Sequence, residues 1–216
     1  MRRNKIKHLG KNKKFKTKIN LLLKKTLIIL FVILSTILIY NISKEVKEYI
    51  SKKSKYEISL EKSKFIEEVK DGAMYNYNKY GILPSITVSQ AILESGWGKS
   101  KLSKESNNLF GIKADNSWDG EAVEAITSEN YDDTIKAKFR KYKSITDSIK
   151  DHGKFLSENK RYRENGLFDS KNYKKQAQAL EDAGYSTKAD KNGKLIYADM
   201  LIEIIEKYNL TKLDFK

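Results

Sequence analysis

The chain has 216 residues, a formal net charge of +15, no cysteine and two histidines. That length allows one medium-sized domain with additional segments. Without cysteine the chain cannot form disulfides, carry a lipid-modified cysteine or use thiol catalysis. His152 is the one histidine outside the basic N-terminal tail. A His-ligated zinc site and a Ser-His-Asp triad are therefore poorly supported, and we expect no metal and no cofactor.

The positive charge is concentrated at the N-terminus. Residues 1–25 contain nine Lys, two Arg and no acidic residue, so they carry +11 and leave only +4 for the rest of the chain. This distribution, without a recognition motif, disfavours a nucleic-acid binder. The tail precedes an uncharged apolar run at 26–42, and a helix of that length spans about 26 Å, close to the roughly 30 Å hydrocarbon core of a bilayer.

We predict that residues 26–42 form a transmembrane anchor with the basic tail, residues 1–25, in the cytoplasm and the remainder outside. A cleaved signal peptide is the alternative, but no A-x-A-like cleavage site follows the run. Interleaved Lys and Glu residues predict that 43–62 is a charged helical stalk. A partner-binding coiled coil is less favoured there, because the heptads are not sustained.

The folded domain is predicted to occupy residues 63–216. A first helix is expected to end at Tyr80, before Gly81, and a second to begin at Pro84 with Ser85 as its N-cap. Residues 103–113 are expected to be a loop, since they are rich in Asn and Gly.

Alternating apolar and polar residues at 122–127 and 135–142 surround two aspartates and predict a β-hairpin. Helical periodicity returns from Ser144, and further helices are expected near 172–183 and 194–208. The predicted class is therefore α+β: a mainly helical domain with a small β-hairpin lobe, preceded by one transmembrane helix.

One acidic residue, Glu94, stands at the end of an apolar helical stretch and directly before a Gly-Trp-Gly turn. Cleavage of a glycosidic bond requires a carboxylic acid that stays protonated near neutral pH, and burial beside apolar surface raises a carboxyl pKa. Trp97 is expected either to shield Glu94 or to stack on a sugar. His152 is expected to be a hydrogen-bonded structural residue.

Four motifs in the same order resemble the lysozyme-like cell-wall glucosaminidases, glycoside hydrolase family 73. They are PSITVSQAILESGWGKS from Pro84, NNLFGIK from Asn107, KAKFRKYKSITDSIKDHGKFL from Lys136 and QAQALEDAGYST from Gln176. The resemblance covers residues 70–210. It implies a lysozyme-like fold, Glu94 as the general acid, and cleavage of the β-1,4 bond after N-acetylglucosamine in peptidoglycan.

The resemblance also implies a second acidic residue on the β lobe. The segment from Thr127 to Tyr131 is similar to the T-x-E-Y segment of the family, which favours Glu129 over Glu121 and Glu124. This carboxylate acts as a base for water or stabilises an oxocarbenium-like transition state. Participation of the acetamido group of the substrate is a further possibility.

The remaining site residues follow from the same resemblance. Tyr185, in the segment A-G-Y-S-T, is expected to line the cleft near the scissile sugar. The chain departs from the family pattern directly afterwards, because Ser186 replaces Ala and Lys188-Ala189-Asp190 stands where Asp-Pro is usual. The expected cleft walls are Asn107, Asn108, Phe110 and Lys113, although a core Phe110 and turn-forming asparagines are also compatible with the sequence.

These observations favour a membrane-anchored peptidoglycan hydrolase that acts on glycan strands outside the membrane, alone or within a larger cell-envelope assembly. A lytic transglycosylase on the same fold is the first alternative. The second, from another functional class, is a catalytically inactive wall-binding scaffold module.

Overall fold

The structure is a computed structural model that describes residues 2–129 and 133–215, without the side chains of residues 2–19, 22 and 126–135. The chain divides into two compact units, Met1–Ser59 and Leu60–Lys216. The elements in chain order are α1 (Arg2–Tyr80), α2 (Pro84–Ser95), α3 (Lys101–Ser106), β1 (Ala122–Glu129), β2 (Asp133–Arg140), α4 (Ile145–Glu158), α5 (Lys160–Glu164), α6 (Tyr173–Asp182), α7 (Tyr197–Lys207) and a 3₁₀ turn (Leu210–Leu213). The predicted α+β class is confirmed.

Residues 60–80 of α1 belong to the second unit, and the first unit contains helical residues of this same helix only. Its apolar segment has a mean hydropathy of 2.3 over eighteen residues, and none of that segment is buried. Large apolar side chains such as Leu27, Phe31 and Leu34 are exposed. By length and composition this helix is able to cross a membrane, which is compatible with a membrane anchor or a signal sequence. Residues 43–59 are helical, as the stalk prediction requires.

The core of the second unit is built around α2. Every residue of α2 from Pro84 to Ile92 is buried, because the helix lies among α6, α7 and the 3₁₀ turn. The last turns of α1 add Val69 and Ala73, and α7 adds Leu201 and Ile205, all fully buried. Because α2 is held on several sides, the position of its C-terminal end is well defined.

The start of α2 differs from the sequence prediction. Leu83 is the N-cap and makes no side-chain cap, while Pro84 is the first helical residue. The cap comes instead from Asp214, whose carboxylate accepts hydrogen bonds from the Ser85 backbone N–H at 2.9 Å and from the Ser85 hydroxyl at 2.7 Å. A carboxylate at this position satisfies free N–H groups and interacts favourably with the helix dipole. The prediction of Ser85 as N-cap was wrong.

Two short helices were not predicted. The first four residues of the expected loop at 103–113 belong to α3, which is capped by the Ser100 side chain and followed by Asn107 as a C-cap in the left-handed conformation. The other short helix, α5, follows α4 directly after Asn159. Helices of five or six residues leave too little periodicity for a pattern to reveal them.

The predicted β-hairpin is confirmed. Strands β1 and β2 pair antiparallel, with Ala125 opposite Ala137 and Ala122 opposite Arg140. Phe139 and Arg140 at the end of β2 are buried. This buried end attaches the hairpin to the helical part of the second unit.

A close contact between α1 and α4 leads to a first prediction. A Cβ atom at Gly153 would overlap the amide group of Asn76, which is fully buried and donates a hydrogen bond to the Ile149 carbonyl at 2.8 Å. We expect Gly153→Ala to lower the free energy of unfolding by about 1–3 kcal/mol, because overpacking outweighs the gain in helix propensity. Urea denaturation measures it, and an unchanged or higher stability would show that Asn76 can move aside.

Candidate active site

Glu94 lies in the last turn of α2. The helix ends because Gly96 adopts the left-handed conformation (φ 57°) and its N–H returns to the Ile92 carbonyl. Glu94 is solvent-accessible at the surface of a cleft. The Gly-Trp-Gly turn predicted from the sequence therefore ends α2 next to Glu94, and the carboxyl group lies at the helix end beside the cleft.

The surroundings of Glu94 favour its neutral form. Although Glu94 is accessible at the cleft surface, the protein atoms around its carboxyl group displace part of its hydration, and this desolvation is the main reason why its pKa lies above the ordinary value for glutamate. Two weaker effects act in the opposite direction: the Tyr197 hydroxyl donates a hydrogen bond to Glu94 Oε1 at 2.8 Å, and the charge of Lys188 favours the carboxylate. Glu94 is thus better suited than an ordinary glutamate to hold a proton and to deliver it.

The cleft beside Glu94 has a volume of about 490 Å³. Glu94 shares it with residues from the loop after α3, from α4 and α5, and from the turn after α6. They are Phe110, Gly111, Ile112, Lys113, Asp115, Phe155, Arg161, Tyr162 and Tyr185. Apolar and aromatic walls with a few charged groups are typical of a binding cleft for a small molecule or a polymer segment. Phe110, Lys113 and Tyr185 of the predicted site are therefore brought together with Glu94.

Tyr185 is held from two sides. Its hydroxyl lies 3.3 Å from His152 Nε2, and its ring stacks on Tyr197 with centroids 5.3 Å apart. Burial raises its pKa well above the ordinary value for tyrosine, so its hydroxyl remains protonated. Tyr185 is thus a neutral hydrogen-bonding group at a defined place in the cleft.

His152 contacts both Tyr185 and Phe110 from the protein interior. It is fully buried, and its ring stacks on Phe110 with centroids 3.8 Å apart. Burial lowers the His152 pKa to about 3, so the imidazole is neutral in the physiological range. Its contacts with Tyr185 and Phe110 match the structural role expected for it.

Two residues next to Glu94 were not predicted from the sequence. Tyr197, the first residue of α7, donates to Glu94, and Gln90 Nε2 donates to the Tyr197 hydroxyl at 3.1 Å. A signal was present, because Tyr197 continues the apolar stripe of Leu201 and Ile204 at helical spacing. A buried tyrosine also requires a partner for its hydroxyl.

Two of the predicted cleft walls have other surroundings. The Asn108 side chain is buried, donates to the carbonyls of Ile112 and Arg140, and accepts from the Ile112 N–H. Asn107 donates to the Tyr142 carbonyl at 3.0 Å and lines a separate cavity beside Trp118. Both asparagines therefore hold the loop against β2, which is the turn-forming interpretation of these residues.

Trp97 also lies apart from the cleft around Glu94. It has a positive φ of 65°, packs edge-on against Phe65 and Tyr208, and has the Lys62 ammonium 5.1 Å from its ring centre. It lines a shallow depression between α2 and α7 instead. These contacts connect Trp97 with residues 62–65 of α1 and with Tyr208, which directly follows α7.

The acidic residues of the β lobe are in different situations. Glu129 is the last residue of β1, and its side chain lies outside the described part of the structure. Glu121 is exposed, forms an ion pair with Lys141 at 2.8 Å and lines the cavity beside Trp118. Its hydrogen bond with Lys141 is the main reason why its pKa is lowered. Glu124 is exposed on β1.

Asp115 is a further carboxylate in the cleft that contains Glu94. The Ser117 hydroxyl and N–H donate to its Oδ1 atom, and these hydrogen bonds are the main reason why its pKa lies below the ordinary value. Arg140 lies 3.6 Å away. The surroundings of Asp115 therefore favour its ionised form, whereas those of Glu94 favour the neutral form. Pairs of carboxyl groups that divide acid and base roles show the same asymmetry.

Arg140 links the β lobe to the helical part of the site. Its guanidinium is 2.9 Å from Asp151 Oδ2 and lies over the Trp118 ring, and its Nε donates to the Lys113 carbonyl. Asp151 also accepts from the Tyr142 hydroxyl at 2.7 Å. The described part of the chain contains no group of three or more His, Cys, Asp or Glu side chains that could hold a metal ion.

Comparison with known proteins agrees with this geometry. The family model described as mannosyl-glycoprotein endo-beta-N-acetylglucosaminidase matches residues 70–210. The exo-glucosaminidase LytG of Bacillus subtilis is 40% identical over 162 residues, which cover 71% of this chain and 54% of the relative. The peptidoglycan hydrolase FlgJ of Vibrio parahaemolyticus is 36% identical over 149 residues, covering 66% and 46%. The chain thus spans about half the length of these relatives.

Solved structures show the same fold. The catalytic domain of the autolysin Auto from Listeria monocytogenes matches with a TM-score of 0.60 at 33% identity, covering 71% of this chain and 88% of that domain. The glycoside hydrolase domain of FlgJ from Salmonella typhimurium matches with a TM-score of 0.55 at 30% identity, covering 70% and 90%. With the family model covering most of the chain, the protein belongs to the glucosaminidase family, glycoside hydrolase family 73.

Proposed function

We propose that the protein is a peptidoglycan hydrolase that cleaves the β-1,4 bond after N-acetylglucosamine, as an endo-β-N-acetylglucosaminidase, with Glu94 as the general acid. One observation carries the proposal: a carboxyl group with a raised pKa lies at the end of a largely buried helix and lines a cleft. Family membership and the names of the relatives, glucosaminidase and peptidoglycan hydrolase, support this substrate.

In the proposed mechanism, protonated Glu94 donates its proton to the glycosidic oxygen as the bond breaks. The carboxylate that remains is stabilised by the Tyr197 hydroxyl, which already donates to Oε1. Because the acid must be protonated and its pKa is raised, activity is present below that pKa and is lost as the pH increases through it. Tyr185 and Lys113 line the same cleft and orient the sugar.

The second carboxylate is proposed to be Glu129, as the family motif indicates. We expect Glu129→Gln to lower the cleavage rate by about 10²-fold, a large but partial loss, because the acid still acts without the group that activates water. Initial rates on purified peptidoglycan measure the effect. Glu124→Gln is the matched control on the same strand and should retain the wild-type rate. Unchanged turnover of Glu129→Gln would contradict the assignment and transfer the role to Asp115, which lines the cleft.

We further propose that residues 26–42 remain as a single-pass anchor, with the basic tail in the cytoplasm and the hydrolase domain outside the membrane. The length and hydropathy of α1 and the excess of Lys and Arg before the apolar run support this orientation. Protease added to intact cells should digest residues 60–216 and leave the tail protected. Recovery of the protein only from the medium would indicate a cleaved signal sequence instead.

Mass spectrometry of muropeptides tests the activity itself. Full-length protein in detergent, incubated with purified peptidoglycan, is expected to release fragments with reducing N-acetylglucosamine ends. Anhydro-muramyl ends would indicate a lytic transglycosylase, and wall binding without cleavage would indicate a scaffold module. The lengths of the early products separate internal cleavage from cleavage at chain ends, the mode named in the B. subtilis relative.

A further inference from the structure

We propose that Gln90 and Tyr197 are positioning residues that fix which oxygen of Glu94 carries the proton delivered to the substrate. This inference rests on the proposed function and concerns the same site. It assigns the transferable proton to Glu94 Oε2, the oxygen that does not face Tyr197.

The direction of the hydrogen bonds carries the proposal. Gln90 Nε2 is 3.1 Å from the Tyr197 oxygen, and that oxygen is 2.8 Å from Glu94 Oε1. An amide N–H can only donate, so the Tyr197 oxygen accepts from Gln90. The single proton of the Tyr197 hydroxyl is then directed to Glu94. Gln90 and Tyr197 are both buried, so water does not compete for the bond between them, which sets the direction of the Tyr197 hydroxyl.

This direction determines the state of each carboxyl oxygen of Glu94. Oε1 accepts from Tyr197, and a proton on Oε1 would face the hydroxyl hydrogen. The acid proton is therefore held on Oε2. After the transfer, the same Tyr197 bond stabilises the carboxylate without any rearrangement of the site, which is the condition for effective electrostatic stabilisation.

The place of the Tyr197 hydroxyl is fixed by its own surroundings. Tyr197 is the first residue of α7, and Glu181 accepts the Ala198 N–H at 2.9 Å near the start of that helix. The Tyr197 ring also stacks on Tyr185. Other titratable groups around Glu94 come from the loop after α3, from α5 and from the segment after α6: Lys113, Asp115, Arg161, Tyr162, Tyr185 and Lys188.

The proposal is tested with Tyr197→Phe in the full-length protein. The substitution removes a donor to the carboxylate and leaves the ring in place, so the Glu94 pKa rises and the alkaline limb of the pH–kcat profile moves to higher pH. We expect kcat on the plateau to fall by about tenfold or less, with KM unchanged. Kinetics of muropeptide release across the pH range measure both effects.

Gln90→Met removes the donor that orients the Tyr197 hydroxyl and keeps a side chain of similar length. We expect a smaller shift of the alkaline limb in the same direction. The double variant should shift no further than Tyr197→Phe, because Gln90 acts only through Tyr197. Tyr208→Phe is the matched control. Its hydroxyl accepts from Lys62 at 2.9 Å and lines the separate depression, so its profile should equal that of the wild type.

An alkaline limb that stays in place or moves to lower pH in Tyr197→Phe overturns the proposal, as does an additive shift in the double variant. A shift to lower pH would mean that Tyr197 accepts the Glu94 proton and donates to Gln90. If circular dichroism shows that Tyr197→Phe does not fold, the pH profile of Gln90→Met tests the proposal instead. A shift of its alkaline limb to higher pH supports the proposal, and no shift or a shift to lower pH overturns it. Wild-type protein that releases no fragments contradicts the proposed function itself and is recognised before any variant is measured.

Discussion

Glu94→Gln is expected to lower the rate of glycan cleavage by about 10²–10⁴-fold while the protein keeps its fold, because the amide cannot deliver a proton. Glutamine has nearly the same shape, and its oxygen can still accept the hydrogen bond that Tyr197 donates to Glu94. The raised pKa of Glu94 means that folding disfavours its charged form. The contribution of Glu94 to stability is therefore largest at low pH, where Glu94 is protonated, and it is lost as the pH increases and Glu94 ionises. The amide introduced by the substitution cannot ionise, so the free energy of unfolding of the variant at neutral pH should equal or exceed that of the wild type.

The measurement combines initial rates on purified peptidoglycan with thermal unfolding of the same samples. Glu105→Gln provides a matched control, since Glu105 is an exposed residue of α3 and should retain full activity. A folded Glu94→Gln variant with the wild-type rate would mean that another group supplies the proton. A variant that loses activity together with its fold would contradict the claim that Glu94 is not required for stability.

Asp151→Asn is expected to lower the free energy of unfolding by about 2–3 kcal/mol, because it leaves the largely buried charge of Arg140 without its nearest partner. The side chains of Arg140 and Asp151 are 11% and 16% exposed. Asp151 also accepts from the Tyr142 hydroxyl, so the substitution weakens two contacts at once. Urea denaturation followed by circular dichroism measures the loss.

The control for this variant is Asp71→Asn, which changes an exposed aspartate of α1 and should alter the free energy of unfolding by less than about 0.5 kcal/mol. We also expect Asp151→Asn to reduce the cleavage rate, since Arg140 joins the end of β2 to the loop that contains Lys113 and Asp115. Equal stability of Asp151→Asn and the wild type would show that Asp115 alone is a sufficient partner for Arg140.

The sequence pattern was enough to predict the elements whose formation depends on neighbouring residues. The hairpin followed from two alternating runs around a polar turn, and α4 and α6 begin directly after Ser144 and Asn172, whose side chains cap them. Glu94 could be proposed as the acid for the same reason, because the helix and the turn that expose it are encoded in adjacent residues. The short helices α3 and α5 were missed, since five or six residues show almost no periodicity.

Interactions between distant residues could not be read from the chain. Nothing in the sequence near Pro84 indicates that Asp214 caps α2, and nothing near Glu94 indicates a tyrosine 103 residues later as its hydrogen-bond donor. Asn108 shows the converse. Its motif is compatible with a sugar contact or with a turn-forming role, and the structure shows that its amide group bonds to backbone on two segments that meet only in the folded protein.

By itself the sequence determined the fold class, the apolar N-terminal helix and the family, and it was enough to propose Glu94 as the acid, because each depends on periodicity, composition or contiguous motifs. Only the tertiary structure decided which groups surround that acid, which predicted residues share its cleft and how the β lobe is attached. The physical reason is that hydrogen bonds and burial depend on distances in space, and the hydroxyl of Tyr197 and the charge of Arg140 acquire their roles only when remote segments pack together.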